Sequence, residues 1–141
     1  MMHFDHVGLL VKDCEKATKI FDVMYGSVKW DYVEYTFTAE VMTVGKPFVI
    51  KTANAEINGV KVEIIEPTSG EDSYMMEYLR SNGEGLHHIA YRFDTEEERS
   101  KKVEELLAQG NITVHASERR PGHKSHYIAA PNGGMVFELF V

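Results

Sequence analysis

Basic charge, cysteine and long apolar runs are what this chain of 141 residues has least of. Its 15 Lys and Arg stand against 22 Asp and Glu, a formal charge of −7. That balance argues against nucleic acid as a partner, since binders of a phosphate backbone carry a basic face. The single cysteine, Cys14, excludes an internal disulfide and agrees with a reducing compartment. Its place in a helical pattern assigns it to packing rather than to nucleophilic chemistry. No apolar run approaches the roughly 20 residues a membrane span needs, and the start "MMHFDHVGLLVKD" lacks the basic n-region and cleavage signature of a secretory leader. The expected setting is the cytoplasm, without a membrane, and the default ligand is a small molecule.

What the chain does have, 43% hydrophobic and 26% charged residues, suits one globular core or two small fused modules. "HFDHVGLLV" alternates like a strand. "DCEKATKIFDVMYG" follows as a helix, with Asp13 as N-cap, Ala17, Ile20, Phe21 and Met24 on one face, and Gly26 as the stop. Three strands are expected next, "VKWDYVEYTF", "PFVIKTANAEI" and "GVKVEIIEP", the last two joined at Asn58-Gly59. "TSGEDSYMMEYLRSNGEG" reads as a linker with a short helix around Tyr74 to Arg80, in which Met75 and Met76 pack.

The order then begins again. "LHHIAYRFD" is a strand, and Thr95 with Glu98 makes a capping box for the helix "EEERSKKVEELLAQ", which stops at Gly110. "ITVHA", "SHYIAA" and "GMVFELFV" are three further strands, divided by "SERRPGHK" and "PNGG". The fold class is therefore α+β, an internal repeat of two βαβββ modules over 1–67 and 85–141, joined by a linker over 68–84.

Aligning the repeats lays "DHVGLLV" over "HHIAYRF" and His6 over His88. Alternation turns Val7, Leu9 and Val11, and Ile89, Tyr91 and Phe93, toward covering helices. His6, Gly8 and Leu10, and His88, Ala90 and Arg92, then face the other way, where the small residues leave room for a ligand. His87 falls on the apolar face, as a packing or supporting residue. The last strand of each module embeds one acid among apolar residues, Glu63 in "VKVEIIE" and Glu138 in "MVFELFV". An unpaired charge there costs several kcal/mol unless it is paired or bound to metal. Two inward histidines and two inward glutamates, with no thiolate, suit one divalent ion per chain, whether Zn, Ni, Co, Mn or Fe, with positions left for water or substrate.

These motifs, "FDHVGLLVKDCEKA", "KVEIIEP", "NGEGLHHIAYRFD" and "GGMVFELF", resemble the vicinal oxygen chelate superfamily of glyoxalase I, methylmalonyl-CoA epimerase, extradiol dioxygenases and resistance proteins. The resemblance covers nearly the whole chain. It implies that the paired modules form an open, cupped mixed sheet with helices outside, that the metal sits on His6, Glu63, His88 and Glu138, and that the protein is a homodimer. The linker helix and "NGEGLHHIAYRFD" are similar to methylmalonyl-CoA epimerase, whereas a glutamate at 63 looks more like bacterial glyoxalase I. Where the epimerase pattern carries an acidic stretch ending in Gln-Gly-Val, with a second catalytic carboxylate, this chain has "VGKPFVIKTANAEI".

By this resemblance the protein is an isomerase, epimerase or lyase that moves a proton next to a carbonyl through a metal-stabilised enediolate, with Glu138 as the base. A dioxygenase or group-transfer resistance enzyme of the same fold, and a small-molecule-binding protein without chemistry, are the other readings. The basic cluster Arg119, Arg120, His123 and Lys124, in a chain otherwise acidic, is expected to hold an anionic or carbonyl substrate. Arg92, on the face of His88, is expected to orient it.

Overall fold

A computed structural model describes residues 1–141 and forms a single nine-stranded mixed sheet. The first half contributes β1 (Met2–Leu10), α1 (Cys14–Tyr25), β2 (Asp31–Phe37), β3 (Met42–Val44), β4 (Phe48–Ile57) and β5 (Val60–Ser69). After α2 (Tyr74–Asn82) come β6 (Gly85–Phe93), α3 (Glu96–Ala108), β7 (Ile112–Glu118), β8 (Lys124–Ala129) and β9 (Val136–Phe140). The strand order is β2-β4-β5-β1-β6-β9-β8-β7-β3. In each half the first strand pairs in parallel with the last, β1 with β5 and β6 with β9. The halves join where β1 runs antiparallel to β6, as an approximate twofold axis between them requires.

The sheet is rolled into a cup, and β3 shows how. β2 lies at one edge and β3 at the other, where it pairs with β7, although only residues 38–41 separate them in the chain. Those five peptide units reach at most about 18 Å, so the two edges are drawn together. Phe37 stacks on its β4 register partner Phe48 at 4.6 Å, and across the gap both meet the ring of His115 from the second half. A three-residue strand has too few residues to show a period, which is why β3 was not expected.

Local chemistry places the other elements near their expected ends. The side chain of Asp13 accepts from the Lys16 N–H and starts α1. Thr95 Oγ1 accepts from the Glu98 N–H to start α3, while its hydroxyl donates to the Glu98 carboxylate. Asn58 and Gly59 both have positive φ, 51° and 81°, the demand of a tight hairpin between β4 and β5.

Two expectations about helices need correction. On α1 the face against the sheet is Cys14, Ala17, Thr18 and Phe21, packed over Val11, Ala53, Val62 and Ile64. Ile20 and Met24, expected on that face, are 66% and 70% exposed. At 3.6 residues per turn they lie about a quarter to two fifths of a turn from its centre line through Cys14 and Thr18. α3 covers the outside of the second half through Val103 and Leu106, but α2 does not lie outside. Met75 and Leu79 sink into the inner core with Leu10, Ile65, Phe48 and Tyr127, so the linker helix plugs one mouth of the cup. Each such apolar side chain is worth about 2 kcal/mol when buried. No helix is long and apolar enough to cross a membrane.

Candidate metal centre

The four residues singled out by alternation lie on two adjacent rows across the central strands. Glu63 of β5, Gly8 of β1 and His88 of β6 are register partners in one row. His6 of β1, Ala90 of β6 and Glu138 of β9 form the other. Each row thus carries a histidine and a glutamate on either side of a small residue. Gly8 does not leave room for a ligand, as its size suggested. A Cβ there would lie 2.1 Å from His88 Cε1, so the space Gly8 leaves is filled by the His88 ring.

His6 Nε2 and His88 Nε2 stand 3.2 Å apart. Glu138 Oε2 is 3.5 Å from the first and 3.4 Å from the second, and Glu63 Oε1 is 3.6 Å from His6 Nε2. Donors about 2.1 Å from one ion, at angles between octahedral and tetrahedral, are about 3.0–3.4 Å apart. The edges of this cluster match that sphere within a few tenths of an ångström. His6, His88 and Glu138 converge with all donor atoms within 4.8 Å, and Glu63 joins from the side of His6.

Both histidines are aimed from behind by the residue before them. The β1–β6 ladder slips between Phe4 and His6 and between Gly8 and Leu9, which leaves Asp5 and His87 as the extra residues of two β-bulges. Asp5 Oδ2 lies 2.8 Å from His6 Nδ1, and His87 Nδ1 lies 2.9 Å from His88 Nδ1. Periodicity assigned His87 to the outer, helix-covered face. The bulge breaks that period, and the ring packs instead against Tyr78, Tyr74, His88 and Tyr127, with Nε2 3.1 Å from Tyr74 Oη. Glu138 is steadied too, because the Ser125 hydroxyl donates to its Oε1 at 2.8 Å.

The charges respond to this crowding. Burial alone would lower the pKa of His6, but hydrogen bonding to Glu138 and the charges of Glu63 and Glu138 outweigh it and raise it to about 9. Glu138 is held well below the usual carboxylate range, since bonds from His6 and His88 overcome its own burial. Desolvation pushes Glu63 the other way, upward. Burial drives His87 down to about 3 and His115 to about 4, so both are neutral imidazoles near pH 7.

A cavity of about 480 Å³ opens onto the cluster, and its lining includes His6, Glu63 and Glu138. Of the residues expected to hold substrate, Arg119, His123 and Lys124 line it. Arg119 sits with its guanidinium 4.6 Å above the Tyr35 ring. Arg120 and Arg92 do not line it, and Arg92 turns at the far end of β6 toward Asp94 at 3.5 Å. The wall also holds Tyr35, Phe37, Ile50, Tyr127, Phe140 and His115, whose buried Nδ1 has no hydrogen-bond partner. Sequence reasoning passed over these residues. Alternation puts His115 and Tyr127 inward, but no pattern separates an inward core residue from one that meets a ligand.

A search of curated proteins by sequence finds no match. Among solved structures, a hypothetical protein from Bacillus halodurans C-125 is 24% identical, with 99% of this chain and 93% of that one covered at a TM-score of 0.64. Methylmalonyl-CoA epimerase from Mycobacterium tuberculosis is 21% identical, with 97% and 85% covered at 0.61. A mutant 4-hydroxymandelate synthase from Streptomyces coelicolor is 12% identical, with 99% and 48% covered at 0.62. At such identities these likenesses establish the fold alone. A family model for the glyoxalase/bleomycin resistance protein/dioxygenase superfamily matches residues 5–129, a span from Asp5 through His88 to the end of β8. With the paired halves, the cupped sheet and that match, the chain belongs to the glyoxalase/bleomycin resistance protein/dioxygenase superfamily.

Proposed function

We propose that this protein is a divalent-metal-dependent isomerase, epimerase or lyase that moves a proton on carbon next to a carbonyl. The observation that carries the reading is the convergence of His6, His88 and Glu138 donors within 4.8 Å at the wall of a cavity large enough for a small molecule. His6, Glu63, His88 and Glu138 would hold one ion per chain. A bound divalent ion would supply Lewis-acid polarisation of a substrate oxygen and so make the neighbouring C–H more acidic.

The chain's own residues then have separable tasks. Glu138 is the proton carrier, since its Oε2 faces the cluster while Ser125 holds Oε1 and fixes the carboxylate's swing. Arg119, braced on Tyr35, with Lys124 and His123 on the same wall, would hold an anionic end of the substrate away from the reacting carbon. The aromatic stretch Tyr35, Phe37 and Phe140 offers apolar area between the two. Fixing both ends removes orientational freedom before the proton moves.

The test is proton exchange in deuterated water. Metal-reconstituted protein would be incubated with a panel of α-carboxyl acyl thioesters and hemithioacetals, and deuterium at the carbon next to the carbonyl followed by NMR. We expect incorporation with at least one class, and a loss of about 100-fold or more in Glu138→Gln, the usual scale for removing a general base. Undiminished exchange in Glu138→Gln would overturn the assignment of the base. No exchange with either class would overturn the reaction type.

A further inference from the structure

His87 and Tyr74 take no part in the chemistry above, yet they stand in line behind His88. His87 Nδ1 is 2.9 Å from His88 Nδ1, and its other nitrogen is 3.1 Å from Tyr74 Oη. His87 is 3% exposed and His88 1%, so water does not compete for these positions. The arrangement is built by two separate elements. The β-bulge swings His87 onto the inner side of β6, and α2, seated in the mouth of the cup, brings Tyr74 to meet it.

The direction of each hydrogen bond follows from what His88 must offer. An ion at the centre needs the lone pair of His88 Nε2, so the ring proton must sit on Nδ1. His88 Nδ1–H then donates to His87 Nδ1, which must be unprotonated. The proton of His87 is therefore on Nε2, and that N–H donates to the Tyr74 oxygen. If the chain ran the other way, His88 would carry its proton on Nε2 and could not ligate. We infer that His87 and Tyr74 form a hydrogen-bond chain that holds His88 in its metal-binding tautomer and couples the linker helix to the metal centre. The other half solves the same problem differently. Asp5 occupies the equivalent place behind His6, and a carboxylate can only accept, so His6 Nδ1 is a donor without further help.

The inference rests on the metal reading, and the experiment separates the two. Zinc affinity would be measured by chelator competition on wild type, His87→Leu, His87→Gln and Tyr74→Phe, each first shown to be folded by thermal melting. We expect a fall of about 10- to 100-fold in His87→Leu, the usual range for losing a partner of a ligating histidine. His87→Gln, whose side-chain oxygen can still accept, should recover a large part of it, and Tyr74→Phe should lose several-fold with little change in melting. Should His87→Leu not fold, Tyr74→Phe and the ring ¹⁵N shifts of the zinc-loaded wild type decide. Those shifts should report His88 protonated on Nδ1 and His87 on Nε2. Wild-type affinity in a folded His87→Leu or in Tyr74→Phe, or His87 protonated on Nδ1 in the loaded protein, would overturn the chain while leaving the metal reading intact. Absence of zinc uptake by wild type would remove the metal reading and this inference with it.

Discussion

Replacing Gly8 by alanine adds one methyl group, and the cup has no place to put it. The φ of Gly8 is not among the positive values, so the backbone accepts alanine and any effect comes from the side chain. The new Cβ would lie 2.1 Å from His88 Cε1 and 2.5 Å from both ring nitrogens. Ordinary contact begins at 3.4 Å, so the ring must move by at least about 1.3 Å. It is walled in by Tyr127 at 4.9 Å, His87 at 5.1 Å and His6 at 5.3 Å between ring centres, and its side chain is fully buried. Metal–ligand distances tolerate about 0.2 Å. A shift several times larger takes His88 Nε2 out of the sphere that the 3.2–3.6 Å donor edges describe. We expect Gly8→Ala to destabilise the fold by about 1–3 kcal/mol through overpacking and to weaken zinc binding by about 100-fold or more, beyond the loss for a supporting residue. Chemical denaturation reads the first and chelator competition the second. Wild-type zinc affinity in Gly8→Ala would refute the placement of His88 at the centre.

Other consequences are independent of Gly8. Thr95→Ala removes the cap of α3, on the far side of the sheet from the cup, and should cost about 1 kcal/mol in denaturant melts while leaving zinc affinity unchanged. His6 has a folded pKa raised to about 9 from 6.5. Its protonated form therefore stabilises the metal-free protein fully below pH 6.5, and that stability is lost as pH rises through 9. Metal must displace the same proton, so apparent zinc affinity should rise about tenfold per pH unit over that window, and a flat profile would contradict the charge balance at the centre. Arg119→Ala should raise KM for an anionic substrate well above tenfold with a smaller change in kcat, whereas Arg92→Ala, outside the cavity, should leave both near wild type in steady-state assays.

Much of the candidate site was legible in the sequence because two regularities coincide there. Strand alternation selects a face, and the repeat selects the same position twice, so His6, Glu63, His88 and Glu138 emerge from pattern alone and meet on adjacent rows of the sheet. The parts that were not legible are those where a period breaks or a partner is distant in the chain. A bulge inserts one residue and turns His87 inward, and nothing in "HHIA" announces it. The small size of Gly8 is visible, but that it shelters the His88 ring rather than a ligand depends on the pairing of β1 with β6. α2 reads as a linker helix from its length and flanks, and only the open mouth of the rolled sheet draws Met75 and Leu79 inside. The basic run from Arg119 to Lys124 shows charge without direction, and the hairpin geometry sends Arg119 and Lys124, but not Arg120, to the cavity wall.

The most direct test of the central claim is cobalt reconstitution of the metal-stripped protein, read by visible absorption and by elemental analysis. We expect about one cobalt per chain, with weak d–d bands of nitrogen and oxygen ligation, no thiolate charge-transfer band, and neither uptake nor bands in His88→Ala. A stripped wild type that takes up no cobalt, or a His88→Ala variant that binds as well as wild type, would contradict it.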